Sequence, residues 1–154
     1  HLVGVPVIVL SVVLALVPFA VLGVNLALAG IALAAAYYLL LDRLLGLAML
    51  VFLAACYALA AAIHTGLAGA GATLALAAAL FVGGWIVQFI GHKFEGMKPA
   101  FTDDIMGLII GPLFIMTEVF FMLGLKRTLK QYVEARVGPT LAARDGAPIG
   151  PTNA

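Results

Sequence analysis

Long apolar runs, broken at a few points by proline, glycine or charge, dominate the sequence. They mark five segments, at about 2–17, 19–41, 44–65, 71–92 and 105–125. Pro18 divides the first two, Asp42-Arg43 closes the second, and the glycine-rich HTGLAGAG turn signal closes the third. Lys126-Arg127 stops the fifth. Each segment is near the ~20 residues a helix needs to cross a ~30 Å hydrocarbon core, and the first, bounded by Pro6 and Pro18, is the shortest. No long period-2 alternation occurs, which disfavours a membrane barrel. The pattern predicts an all-α fold: a polytopic transmembrane helix bundle of about five hydrophobic segments. This domain covers residues 1–125. Residues 126–137, KRTLKQYVEARV, read as a short basic helix, and the Gly/Pro-rich 138–154 as a disordered tail.

Composition strengthens that reading. The chain of 154 residues is 65% hydrophobic and 10% charged, whereas soluble domains are near half apolar and a quarter charged. Alanine, leucine and glycine allow close helix–helix approach in lipid. A net charge of +1 gives no reason to expect a nucleic-acid partner. The one cysteine, Cys56, lies within an apolar run and reads as a packed thiol. The sequence opens on His1 with no basic n-region, from which a trimmed N-terminus is expected rather than a signal peptide. The expected location is an integral membrane one: the inner membrane of a bacterium, or the endoplasmic reticulum of a eukaryote. No feature sets an oligomeric state.

If all five segments span, the start of the first, the end of the second and the end of the fourth share one side of the bilayer. His1, Asp42, Arg43, His92, Glu95, Asp103 and Asp104 then meet at one interface, while His64 and the basic tail lie at the other. Lys126, Arg127, Lys130 and Arg136 outnumber Arg43, Lys93 and Lys98 near the membrane, which leans toward a cytoplasmic tail.

Polarity concentrates in GWIVQFIGHKFEGMKPAFTDD, residues 84–104. Positions three and four apart share a helix face, so Gln88, His92 and Glu95 form one stripe. His-x-x-Glu can offer an imidazole and a carboxylate to one metal, or Glu95 can orient the imidazole from behind. With His1 the set becomes two histidines and a carboxylate, the donor type of non-haem Fe(II) oxygenases. Two exposed interfacial residues with no ligand is the alternative. Glu118 lies inside the fifth segment, where a carboxylate in hydrocarbon costs about 3 kcal/mol, so it should face the bundle interior. It serves either a site or packing. A fifth helix starting at Ile105 would bury Glu118 about 20 Å along the axis, and one opened by Pro112 about 9 Å; a role beside His92 needs the second. Asp103 and Asp104 read as capping acids, Asp42-Arg43 as an interfacial turn pair, and His64 as an interfacial histidine. Tyr37, Tyr38, Tyr57 and Trp85 suit aromatic belts or packing.

HLVGVP at 1–6 and WIVQFIGHKFEGMKPAFTDDIMGLIIGPLFIMTEVFF at 85–121 together resemble the membrane-bound 2-hydroxy fatty acid dioxygenases. The first stretch resembles that family's His-x-x-Gly-x-Pro element. The second resembles its Trp-x-x-Gln-Phe-x-Gly-His signature, followed by Phe-Glu, Pro-Ala, an acidic pair and Pro-x-Phe before a glutamate. The resemblance implies a non-haem iron enzyme of fatty acid alpha-oxidation, an oxidoreductase of lipid metabolism. With Fe2+ and O2 it would convert a 2-hydroxy fatty acid to the acid one carbon shorter. It implies His1 and His92 as metal ligands and catalytic positions for Glu95 and Glu118. Gln88, Lys93, Lys98 and Arg43 are the candidates for holding substrate. Two departures stand out: Asp103-Asp104 replaces a frequent Asp-Asn, and the family's further polar helix with another histidine, upstream of the first motif, is not in this sequence. A haem-binding protein with His1 and His92 as axial ligands, or a structural or transport membrane protein, are the competing readings.

Overall fold

The computed structural model describes residues 2–95, 106–125 and 130–131. Where the hydrophobic pattern predicts helices, helices form: α1 spans Gly4–Leu16, α2 Leu26–Leu41, α3 Arg43–Gly66, α4 Ala70–Glu95 and α5 Met106–Met122. Among the described residues the fold is all-α apart from one short ribbon. The chain separates into two compact units, residues 1–115 and 116–154, and the division falls inside α5.

The second segment departs from expectation. Residues 19–25 are not helical; Ala20–Val21 (β1) pairs antiparallel with Val24–Asn25 (β2), and α2 begins only at Leu26. Two causes are visible. Pro18 ends α1 one residue past its C-cap, because proline cannot continue the ladder of helical hydrogen bonds. Leu22 and Gly23 both adopt positive φ, 52° and 81°, which is the pattern that closes a two-residue hairpin turn. Asn25 then starts α2. Its Oδ1 accepts from the Ala27 N–H at 2.9 Å and from Leu28 at 3.4 Å, and its Nδ2 donates to the Val17 carbonyl at 2.8 Å. One side chain caps α2 and ties it to the end of α1.

Asp42 joins α2 to α3 with no further linker. Its carboxylate accepts from the Leu45 N–H at 2.9 Å, so it caps α3 while ending α2. Gly46 makes this tight reversal possible: a Cβ there would lie 2.6 Å from the Leu39 Cα and backbone N. The glycine turn after His64 also forms, with Gly69 at φ 93° just before α4.

Within the first unit α1 packs against α4 and α3, and α2 against α3. The core joins Val13, Leu14 and Val17 of α1 to Ala27 of α2, Cys56 and Ala60 of α3 and Ala77 of α4. α1 runs antiparallel to α4, since Gly4 meets Gln88 while Ile8 meets Gly84. α2 and α3 are antiparallel too. The starts of α1 and α3 and the ends of α2 and α4 therefore lie at one end of this unit; the ribbon, His64 and Thr73 lie at the other.

α3 and α4 are long and apolar enough to cross a membrane, by length and composition, whereas α1, α2 and the apolar stretch 110–122 are shorter. Only 11% of the apolar window of α4 is buried, unlike the core helix of a soluble protein. Large side chains such as Leu33, Leu40, Val51, Val82 and Ile86 are exposed.

Candidate active site

The closest approach of α1 and α4 is built on two glycines. A Cβ on Gly4 would fall 2.7 Å from Gln88 Oε1, 3.2 Å from the Gly84 carbonyl and 3.3 Å from the Gln88 nitrogen. A Cβ on Gly84 would fall 2.7 Å from Ile8 Cγ1 and 3.3 Å from the Gly4 carbonyl. With hydrogens at both positions the two backbones touch, as small residues permit in apolar bundles. The contact presses the start of α1 against the amide of Gln88. Gln88 Oε1 is buried there with no hydrogen-bond partner. A buried carbonyl oxygen left unpaired costs about 1–3 kcal/mol, so this acceptor is a feature that a bound donor would relieve.

Helical register extends the same face outward. Positions 84 and 88 lie on the side of α4 that meets α1, position 92 follows at the same four-residue spacing, and position 95 lies one turn beyond 92. His92 is about 6 Å further along the axis than Gln88 at 1.5 Å per residue. α4 runs past the expected end at 92 and includes Glu95, so Gln88, His92 and Glu95 share one continuous helix. The side chains of His92 and Glu95 lie outside the described residues, as do His1, Lys98, Asp103 and Asp104. His1 precedes Gly4 by three residues, which limits it to about 10 Å of chain from Gly4. Arg43 opens α3 at the same end and is exposed, and Lys93 on α4 is exposed as well. Among the described residues no cluster of three His, Cys, Asp or Glu side chains forms.

Glu118 belongs to the second unit and is 1% exposed within α5. α5 runs through Pro112 rather than opening at it, so the arrangement in which Pro112 begins the helix does not form. Of the basic helix expected at 126–137, residues 130 and 131 are described and are helical; the remainder, like 138–154, lies outside the described residues.

At the opposite end, His64 is not a bare interfacial histidine. Its Nδ1 lies 2.8 Å from Thr73 Oγ1, and the Thr73 hydroxyl donates to the Gly69 carbonyl at 3.1 Å. Trp85 stacks between Phe81 and Phe89, with centroids 6.2 and 5.4 Å away, as an aromatic ladder along α4.

Asn25 and Thr73 were not among the residues singled out from the sequence, Gly4 entered only as the glycine of the His-x-x-Gly-x-Pro element, and Gly84 only as the first residue of the polar stretch 84–104. For the glycines a signal existed: a Gly-Gly pair inside an apolar helix costs about 1 kcal/mol per residue against alanine, and so asks for a packing reason.

The described residues make an all-α protein whose apolar helices include a glycine-packed pair, with Gln88, Arg43 and Lys93 toward one end of the first unit. The chain belongs to the Mpo1-like family, described as 2-hydroxy-palmitic acid dioxygenase Mpo1-like, whose pattern it matches over residues 1–123. It is 46% identical over 57 residues to 2-hydroxy-palmitic acid dioxygenase MPO1 of Saccharomyces cerevisiae. That match covers 36% of this chain and 33% of the yeast protein, so about a third of the curated relative is spanned. No solved structure matches the chain.

Proposed function

We propose that the chain is a membrane-embedded Fe2+-dependent dioxygenase that converts a 2-hydroxy fatty acid and O2 to the fatty acid one carbon shorter. The lost carboxyl carbon balances as CO2, with water as the other product. The observation that carries the reading is the buried, unpartnered Gln88 Oε1 at the glycine contact, in a chain of this family. It is an unpaired acceptor on α4, the helix that also carries His92, and the 2-hydroxyl of the substrate is a donor that suits it.

His1 and His92 would hold the metal, with Glu95 as a third ligand or as the group that orients an imidazole. Two imidazoles and a carboxylate are donors that suit Fe2+, and the metal would supply the one-electron chemistry with O2 that side chains lack. The protein does the rest. Gln88 accepts from the 2-hydroxyl and fixes which face of that carbon is presented. Arg43, Lys93 and Lys98 attract the carboxylate. Glu118, a buried acid, has its role within α5. Exposed apolar faces on α3 and α4 favour lipid as the surroundings, since contiguous apolar surface of this extent is not left to water.

Aerobic incubation of the purified protein with Fe2+ and 2-hydroxypalmitic acid tests this, with the one-carbon-shorter acid as the expected product. Bound iron without a Soret band is expected by elemental analysis and absorption. A Soret band would replace this reading with the haem one. Full turnover by His92→Ala would remove His92 from the site.

A further inference from the structure

α1 and α3 leave between them a groove of about 260 Å³. Pro6, Val7 and Leu10 line it from α1, and Phe52, Ala55 and Leu59 from α3. The floor is Cys56, and no charged side chain enters. Its α1 side begins two residues past Gly4, the residue pressed against Gln88 Oε1. Because α1 and α3 run in the same direction, the groove leads away from the polar end into the apolar body. Ligand pockets commonly enclose ~300–1,000 Å³, so this slot suits one narrow chain rather than a bulky ring system. Arg43 and Lys93 are exposed at that end, with Asp42 next to the one and Glu95 two residues from the other, so the end is polar with opposite charges interspersed. An uncharged slot leading inward from a polar end is complementary to an amphiphile with a polar head and a single tail.

We infer that the α1–α3 groove holds the tail of the 2-hydroxy fatty acid, and that the small side chain at position 55 sets how long a tail is accepted. The inference rests on the dioxygenase reading for the placement of the head. Ala55 is exposed to the groove, so bulk added there fills the slot instead of the core. Its neighbour Cys56 is buried and belongs to the core, where a larger side chain would disturb packing.

The test has two arms on the intact membrane protein. In the first, a 2-hydroxy fatty acid with a diazirine at its methyl end is photolysed on the protein and the labelled peptides are mapped. Labelling is expected on 6–10 and 52–59, displaced by 2-hydroxypalmitic acid and not by phosphatidylcholine. Labelling elsewhere, or displacement equally by phosphatidylcholine, overturns the proposal by making the groove an ordinary lipid contact. In the second, Ala55→Trp is compared with wild type on 2-hydroxypalmitic and 2-hydroxyoctanoic acids. The ratio of kcat/KM for the long acid to that for the short one should fall at least about tenfold, the equivalent of about 1.4 kcal/mol. An unchanged ratio in a folded, active variant overturns the proposal while leaving the dioxygenase reading intact. Displaceable groove labelling in a protein that turns over neither acid supports the groove and removes the dioxygenase reading instead.

Discussion

Adding one methyl group to α4 should separate the packing of α1 from the helix propensity of α4. Gly83 and Gly84 are adjacent in that helix, yet a Cβ on Gly83 meets nothing within 4 Å, while one on Gly84 meets Ile8 Cγ1 at 2.7 Å, the Ile8 nitrogen at 3.2 Å and the Gly4 carbonyl at 3.3 Å. Ile8 is β-branched and stiff about χ1, and two of the three neighbours are backbone, so a rotamer change does not relieve the clash. Restoring ordinary contact, from 2.7 to 3.4 Å, moves α1 off α4 by about 0.7 Å. Overpacking of this kind costs about 1–3 kcal/mol, against the ~0.5–1 kcal/mol that Gly→Ala returns in a helix. Gly84→Ala should therefore lose about 1 kcal/mol net, and Gly83→Ala should gain about 0.5–1 kcal/mol. At roughly 2–4 °C per kcal/mol for a chain of this size, thermal melts in detergent resolve the pair. Turnover should separate them further. A misplacement near 1 Å can cost about 100-fold in rate, and α1 is the element pressed against Gln88 through Gly4. Equal melting temperatures and equal turnover of 2-hydroxypalmitic acid for the two variants would refute the glycine contact.

Two further substitutions probe how α1 is tied to α2. Asn25→Ala removes both the cap of α2 and the bond to the Val17 carbonyl, at a cost of about 1–2 kcal/mol, whereas Asn25→Asp keeps the cap and loses only the bond to Val17. A thermal melt in detergent should place the aspartate variant between wild type and alanine; equal losses would show that the cap contributes nothing. Leu22 is 98% exposed at φ 52°, a conformation that costs a side chain such as leucine about 1 kcal/mol. Leu22→Asn should raise the melting temperature by a few degrees with turnover unchanged, and a fall would mean that the leucine side chain itself holds the turn.

What was legible in the sequence follows physical lines. Long apolar runs identify helices because each must bury or solvate a whole segment, and α3, expected at 44–65, runs from Arg43 to Gly66. Residues 19–25 were misread for the same reason. Their hydrophobicity is as high as that of a helix, and the ribbon arises from local geometry: Pro18 stops α1, and Asn25 supplies a cap that can begin α2 afresh. Hydropathy does not register either effect. The site was legible only in part. Helical spacing placed Gln88, His92 and Glu95 on one stripe, and all three do lie in α4. That α1 docks on this stripe through Gly4 and Gly84 depends on the absence of side chains, and a missing Cβ leaves no periodic trace.

The meeting of the start of α1 with the end of α4 also shows which part of a span count is robust. The count assumed five full crossings, yet α1 and α2 have 13 and 16 residues, about 20 and 24 Å of helix, and fall short of a ~30 Å core. The part that the described residues carry, the start of α1 beside the end of α4, depends on direction alone. Each reversal, whether the ribbon, Asp42 or the Leu67–Gly69 turn, sends the chain back, so successive helices from α1 to α4 run oppositely whatever their lengths. The start of α1 and the end of α4 then fall together after three reversals, and the glycine pair converts shared direction into contact. Helix lengths bear on a different question, the depth of each end in the lipid. There the ribbon matters, because Ala20–Val21 and Val24–Asn25 form a two-stranded sheet in which each strand is paired along one edge alone. An open sheet edge is not stable in hydrocarbon, so a connection of this kind belongs where water or polar headgroups reach it.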